Sequence, residues 1–303
     1  MTVVFQTAAG ELSTAGTVVS ARAEWTVESP AASFAAVVDG AVSGQAAVRW
    51  RDGDGRVLFE GYVDTLTVRA DGAGRRTAVT GRSAGAFLLD NEALPAHYSL
   101  LTLGEFFRRT IAPYGLFTLG VEAAGSFSYT VPKGVSEWEA LSGACYAACG
   151  RRPWLTPERE VRLRPGAGSP VTLPQAAVVG FSTAEDRSAP LSRVLIRDGN
   201  GYYTAGAEDR AAVELGIRRK RYWIPPTRYE DGRDSPEELL LAGMAAYRTA
   251  GVELAGLWPA YRLWDRLRWE ERDWVVAGVR LSADGDGCRT RLTLRDAAYA
   301  DAL

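Results

Sequence analysis

The chain carries a single histidine, His97, between Ala96 and Tyr98. Hydrolysis of the serine type needs an imidazole beside a serine presented on a sharp elbow. One Gly-x-Ser-x-Gly occurs, at Gly81–Gly85, and His97 is nonetheless read as a loop residue without a chemical role. Three cysteines make no disulfide framework. Cys145 and Cys149 lie four apart on an expected helix, where they share a side and read as small core residues, while Cys288 falls on a strand. One histidine leaves no ligand set for zinc, so neither a metal nor another cofactor is expected. Glu137 and Glu139 bracket Trp138, and Asp231, Asp234, Glu237 and Glu238 gather around one loop. Paired carboxylates can cleave glycosides, but acids in a first helical turn also complement its dipole. The glycine-rich stretches 52–55 and 70–74 are hairpin turns rather than phosphate loops, since neither precedes a helix with a lysine. The chain is therefore expected not to be an enzyme.

Two other clusters suit binding. Arg218, Arg219, Lys220 and Arg221 are followed by Tyr222 and Trp223. Aromatics beside basic residues can stack nucleic-acid bases. Four successive basic residues on a strand point to both of its faces, however, and an exposed or interface strand is the plainer reading. No sequence-specific nucleic acid is expected. Trp258, Trp264, Trp269 and Trp274 fall within 17 residues. Such density suits a subunit interface or a sugar-binding face. The interface is preferred, because β modules with open edges are commonly completed by neighbours. The interface candidates are these four tryptophans and the four basic residues.

Composition sets wide bounds. The 303 residues are 47% hydrophobic and 24% charged, with 35 basic against 37 acidic side chains and a net charge of −2. That balance gives no electrostatic pull toward nucleic acid or an acidic membrane. No run approaches the roughly 20 apolar residues of a membrane span. The first residues lack a basic region followed by an apolar core, so synthesis in the cytoplasm is expected.

The elements that would position these residues are mostly strands. Alternation and turn signals predict strands near 2–6, 17–27, 32–39, 45–51, 56–69 and 75–81. Capping boxes at Thr102 and Ser136 predict helices to about Ala112 and to Cys149, the second burying Trp138, Leu141, Cys145 and Ala148. A hairpin follows at 153–163, and 165–170 reads as a linker. Further strands are predicted near 171–174, 191–197, 201–207 and 217–224. Ser235, Pro236 and Glu238 open a third helix with Leu240, Met244 and Tyr247 on its apolar face. Strands near 252–258, 265–270, 273–283 and 288–295 complete the pattern. The expected domains are a first β-barrel module at 1–95, an α+β insert at 96–168, and a second β-barrel module with one late helix at 169–303.

The chain also repeats itself. Residues 61–83 and 274–296 align without a gap at an offset of 213, with nine of 23 positions identical. The identities include Asp71/Asp284, Gly74/Gly287, Thr77/Thr290 and Arg82/Arg295. Each copy is a strand, an Ala-Asp-Gly-x-Gly turn and a second strand, the glycines supplying the positive φ of a tight hairpin. Two related β modules in one chain are expected.

With these residues in order, the chain resembles the baseplate hub, or late-control, proteins of contractile-tailed phages and of phage-derived particles such as tailocins and injection systems. VLFEGYVDTLTV followed by TAVTGRSAGAFLLDNEA is similar to that family's first-barrel hairpin and the short helix after it. LTLGEFFRRTIAPYGL with VPKGVSEWEALSGACYAACGRRPWLTPEREVRLRP is similar to its insert, and SRVLIRD and PAYRLWDRLRW to its second-barrel strands. One departure is Trp264 before Asp265, where glycine is usual. The resemblance implies two tube-type barrel modules per chain and a homotrimer presenting six similar modules. Such a ring would join a hexameric tail-tube ring to a trimeric spike, with the tape-measure protein in the channel, as part of an assembled particle. The alternatives are a tail-associated cell-wall or glycan hydrolase and a carbohydrate-binding distal tail module.

Overall fold

The computed structural model describes residues 1–72, 74–121, 125–163, 171–225 and 235–300. The expected linker 165–170 and the loop acids Asp231 and Asp234 lie outside them. The chain begins with seven strands: β1 (Thr2–Thr7), β2 (Leu12–Thr14), β3 (Val18–Thr26), β4 (Ser33–Asp39), β5 (Gln45–Arg51), β6 (Val57–Asp71) and β7 (Gly74–Arg82). Next come α1 (Ala86–Asp90), β8 (Ala96–Leu101), α2 (Leu103–Thr110), β9 (Thr118–Leu119), β10 (Phe127–Val131), α3 (Glu137–Cys149), β11 (Pro153–Leu155) and β12 (Glu160–Leu163). The second half holds β13 (Val171–Thr172), β14 (Val178–Glu185), β15 (Arg193–Ile196), β16 (Ala205–Glu208), α4 (Arg210–Glu214), β17 (Lys220–Trp223) and α5 (Pro236–Tyr247). It closes with β18 (Arg248–Ala255), β19 (Arg266–Trp269), β20 (Arg272–Asp284), β21 (Gly287–Asp296) and α6 (Ala297–Ala300).

The fold is mainly β with an α+β insert, and both β modules lie in one sheet. Its strand order is β14-β18-β21-β20-β3-β4-β7-β6-β5-β1-β2, with β19 and β13 attached beside β20. The seam between modules is antiparallel, from Gly278 opposite Thr26 to Ala283 opposite Ala21. Across it Arg280 reaches Glu24 at 2.9 Å, Arg295 pairs with Glu28, and Val27 N–H donates to Ala277 O at 2.9 Å. One hydrophobic core runs under both modules, from Val3, Phe34 and Trp50 to Leu254, Trp274 and Leu292.

The repeat extends to the register. In β6·β7, Val63 faces Gly81, a bulge follows, Thr65 faces Thr80, and the turn closes with Asp71 opposite Gly74. In β20·β21, Val276 faces Leu294, a bulge follows, Gly278 faces Thr293, and Asp284 closes opposite Gly287. Every one of these pairs maps onto its counterpart at the sequence offset of 213. The flanking strands follow suit. Ser33 faces Arg82 and Thr249 faces Arg295. Val18 faces Val38 before a bulge, and Val178 faces Leu254 before a bulge. The cross-strand ion pair Arg49–Glu60 recurs as Arg268–Asp273. Thus β14, β18, β21, β20 and β19 occupy the places of β3, β4, β7, β6 and β5.

The insert has its own core of Leu103, Phe106, Ile111, Tyr129, Leu141, Cys145 and Val161. Both capping boxes are formed, at Thr102–Glu105 and Ser136–Glu139, and α3 ends on left-handed Gly150. Ala84, Leu88 and Ala93 pack into this core as well.

Several expectations need correction. β14 was not anticipated, because its exposed residues carry no apolar alternation. The strands expected at 191–197, 201–207 and 217–224 do not join the barrel sheet. They form a separate sheet, β16-β15-β17, which with α4 and α5 fills the connection between β14 and β18. The equivalent connection in the first module is the short stretch 27–32. On α3, Cys149 is exposed rather than in the core, Trp138 and Ala148 are only partly buried, and Ala140 and Ala144 take the inner face.

Candidate assembly interface

The residues that might have made a catalytic centre are dispersed. His97 is exposed on β8, with Nδ1 2.8 Å from Thr130 Oγ1. Cys145 is buried, which pushes its thiol up to about 12 and keeps it protonated. Cys149 Sγ donates to Cys145 O at 3.0 Å, and Cys288 is exposed in the second hairpin. Among the described residues no group of three or more His, Cys, Asp or Glu side chains could hold a metal ion. Glu139 and Glu238 complete capping boxes, accepting from the backbone N–H of Ser136 and Ser235 at 2.7 Å each. Glu137 behaves differently: it is buried, Oε2 has no hydrogen-bond partner among the described residues, and desolvation raises its pKa. It is a first-turn acid, as the sequence predicts, and it also faces the core. Its place one turn before Leu141, on the inner face of α3, is the signal that was available.

The four tryptophans divide into two pairs. Trp274 and Trp264 are 2% and 9% exposed and belong to the chain's own core. They are thereby anchors of this fold before any neighbour arrives. Trp264 sits at φ +71, a conformation in which a side chain is strained and glycine is at ease. Its N–H donates to Val276 O at 2.9 Å, holding it over the strand. The following Asp265 accepts from Arg262 N–H at 2.8 Å, yet burial raises its pKa. Trp258 and Trp269 are only partly buried. Trp258 Nε1 donates to Ala255 O at 2.7 Å, and Trp269 packs against Phe181 of β14 with ring centroids 5.5 Å apart.

Arg218, Arg219, Lys220 and Arg221 are all exposed, the last two on the edge strand β17. Arg219 donates to Arg187 O at 3.2 Å, and Lys220 Nζ lies 5.4 Å from the centre of the Tyr222 ring, which meets Tyr203 edge-on. The barrel sheet leaves apolar side chains in water at its margins: Val68 on β6 is 47% exposed and Val179 on β14 is 58% exposed. Sequence reasoning missed these margins, since nothing in a strand's own residues says which edge stays open.

No protein-family model and no curated protein matches the sequence. Its fold, in contrast, is shared. A tail protein from Neisseria meningitidis MC58 superposes with a TM-score of 0.78 at 16% identity, covering 99% of this chain and 98% of that one. The 43 kDa tail protein of prophage MuSo2 from Shewanella oneidensis does so at 0.76 and 15%, covering 99% of both chains. An E. coli protein, c3393, described as a type VI secretion component structurally similar to the T4 tail proteins gp27 and gp5, gives 0.55 and 13%, over 92% of this chain and 73% of its own. The chain has the fold of these tail proteins.

Proposed function

We propose that the protein is a structural tail subunit: a baseplate hub whose homotrimer makes a pseudo-sixfold ring. The carrying observation is the repeat of strand order, register and bulges within a single sheet. Two modules already joined edge to edge are two sixths of a ring, and three chains supply six. Such a ring matches a hexameric tube on one face and a trimeric spike on the other, with the tape-measure protein in its channel. Trp258, Trp269 and the basic strand are the interface candidates that remain at the surface. The work is adaptation between symmetries, without turnover, inside an assembled phage tail or a related particle. Sedimentation tests it: a trimer is expected, whereas a monomer or a hexamer overturns it. Degradation of cell-wall material by the purified protein would favour the hydrolase reading instead, and His97→Ala is expected to leave particle function intact.

A further inference from the structure

Each module carries one strand edge that accepts a neighbour and one that offers itself. Within the chain one such pair is used: the second half of β20 accepts the outer edge of β3. By register, the counterpart of β20 is β6 and that of β3 is β14. On β6, β5 pairs only as far as Tyr62, and among the described residues nothing pairs with the outer edge of 65–70. On β14, β18 covers one edge and, among the described residues, nothing pairs with the other. Burial marks the difference. Leu281, at the used seam, is 1% exposed, whereas its counterpart Val68 is 47% exposed. Ala23 is fully buried, and its counterpart Thr183 is exposed.

We infer that β14 of one copy pairs antiparallel with residues 65–70 of β6 of the next copy, in the register of the internal seam. Transferring that register sets Leu66 opposite Glu185, Val68 opposite Thr183 and Ala70 opposite Phe181. The two edges differ, so the contact is head-to-tail, and in the proposed trimer it closes as a ring. Leu66 and Phe181 already pack at the rim of the hydrophobic core, so pairing would extend that core from copy to copy. The Glu24–Arg280 ion pair of the seam is replaced by Ala184 and Thr67, two small uncharged residues that allow close approach. Trp269, which packs on Phe181, would be covered by the arriving strand.

This inference rests on the ring proposed above. The test uses the full chain with the exposed Cys149 and Cys288 changed to serine. Val68→Cys is combined with Thr183→Cys, and separately Thr67→Cys with Ala184→Cys. Directly opposed residues of an antiparallel pair lie within disulfide reach. Mild oxidation is expected to give bands at two and three times the monomer mass for at least one pair. Val68→Cys with Val179→Cys, out of register, is expected to link several-fold less. A trimer in which neither in-register pair links, or in which the out-of-register pair links equally, overturns the strand pairing and leaves the ring intact. A chain that stays monomeric and unlinked in concentrated solution overturns both.

Discussion

Thr77 and Thr290 make the same pair of hydrogen bonds in the two halves of the molecule. Thr77 Oγ1 donates to Gly40 O at 2.7 Å and accepts from Val42 N–H at 3.0 Å. Thr290 Oγ1 donates to Gly256 O at 2.9 Å and accepts from Trp258 N–H at 2.8 Å. Both threonines are fully buried, and both glycines are left-handed, at φ +92 and +89. The glycine N–H groups donate to Arg75 O and Cys288 O, again equivalent residues. A hydroxyl thus clamps the same turn against the same hairpin twice. Thr77→Val or Thr290→Val keeps the shape and strands a carbonyl and an amide. Each should cost about 1–3 kcal/mol by urea denaturation. The clamps share no partner, so the double variant should lose close to the sum.

Glu137 should make stability depend on pH. Its folded pKa is raised above the ordinary 4.5 because the carboxylate is desolvated. A raised pKa means its contribution is fully present below the unfolded value and is lost as pH rises through the folded one. Glu137→Gln should therefore be more stable than the parent at neutral pH, with the gap closing toward pH 4 on the scale of carboxylate titration. Thermal melts of both proteins across that range check it. A gap that widens on acidification would contradict this origin.

Gly81 marks a site where the halves have diverged. In the second hairpin its place is taken by fully buried Leu294. A Cβ at Gly81, in contrast, would lie 2.3 Å from Tyr62 O. Backbone must move to admit it, so Gly81→Ala should destabilise by about 1–3 kcal/mol. A melting temperature equal to the parent's would contradict the close approach.

The tryptophans should separate by role. Trp274→Ala empties a core site and should cost about 3–5 kcal/mol of folding stability. Trp269→Ala, beside the open edge of β14, should leave the monomer folded and weaken proposed trimer formation tenfold or more, about 1.4 kcal/mol. Circular dichroism and sedimentation on both variants distinguish the outcomes. Equal trimer formation by Trp269→Ala and the parent would remove this residue from the interface.

How legible the chain was follows from where its information sits. β4 and β7 could be read almost to the residue, because each buries one face and therefore alternates. The capping boxes at Thr102, Ser136 and Ser235 could be read because capping is local chemistry. β14 could not, because its second half is exposed on both faces and carries no apolar alternation. The short strands β15, β16 and β17 were legible as strands, but their partners were not, since sheet membership is decided by distant segments. The tryptophans showed density without direction. Only the pleat of β19 and β20 sends Trp274 inward and leaves Trp269 at the margin.

The seam between β3 and β20 also sets an order in time. Glu24 and Arg280 are 256 residues apart. A ribosome adding about 5–20 residues per second needs roughly 10–50 s to cover that span. Through most of it, with β4 to β7 already made, the nascent chain displays the outer edge of β3 before its partner β20 exists. The same edge that later joins the two modules is, during synthesis, a place where two nascent chains on one message can pair with each other instead. Completion of β20 is what closes that edge within the chain.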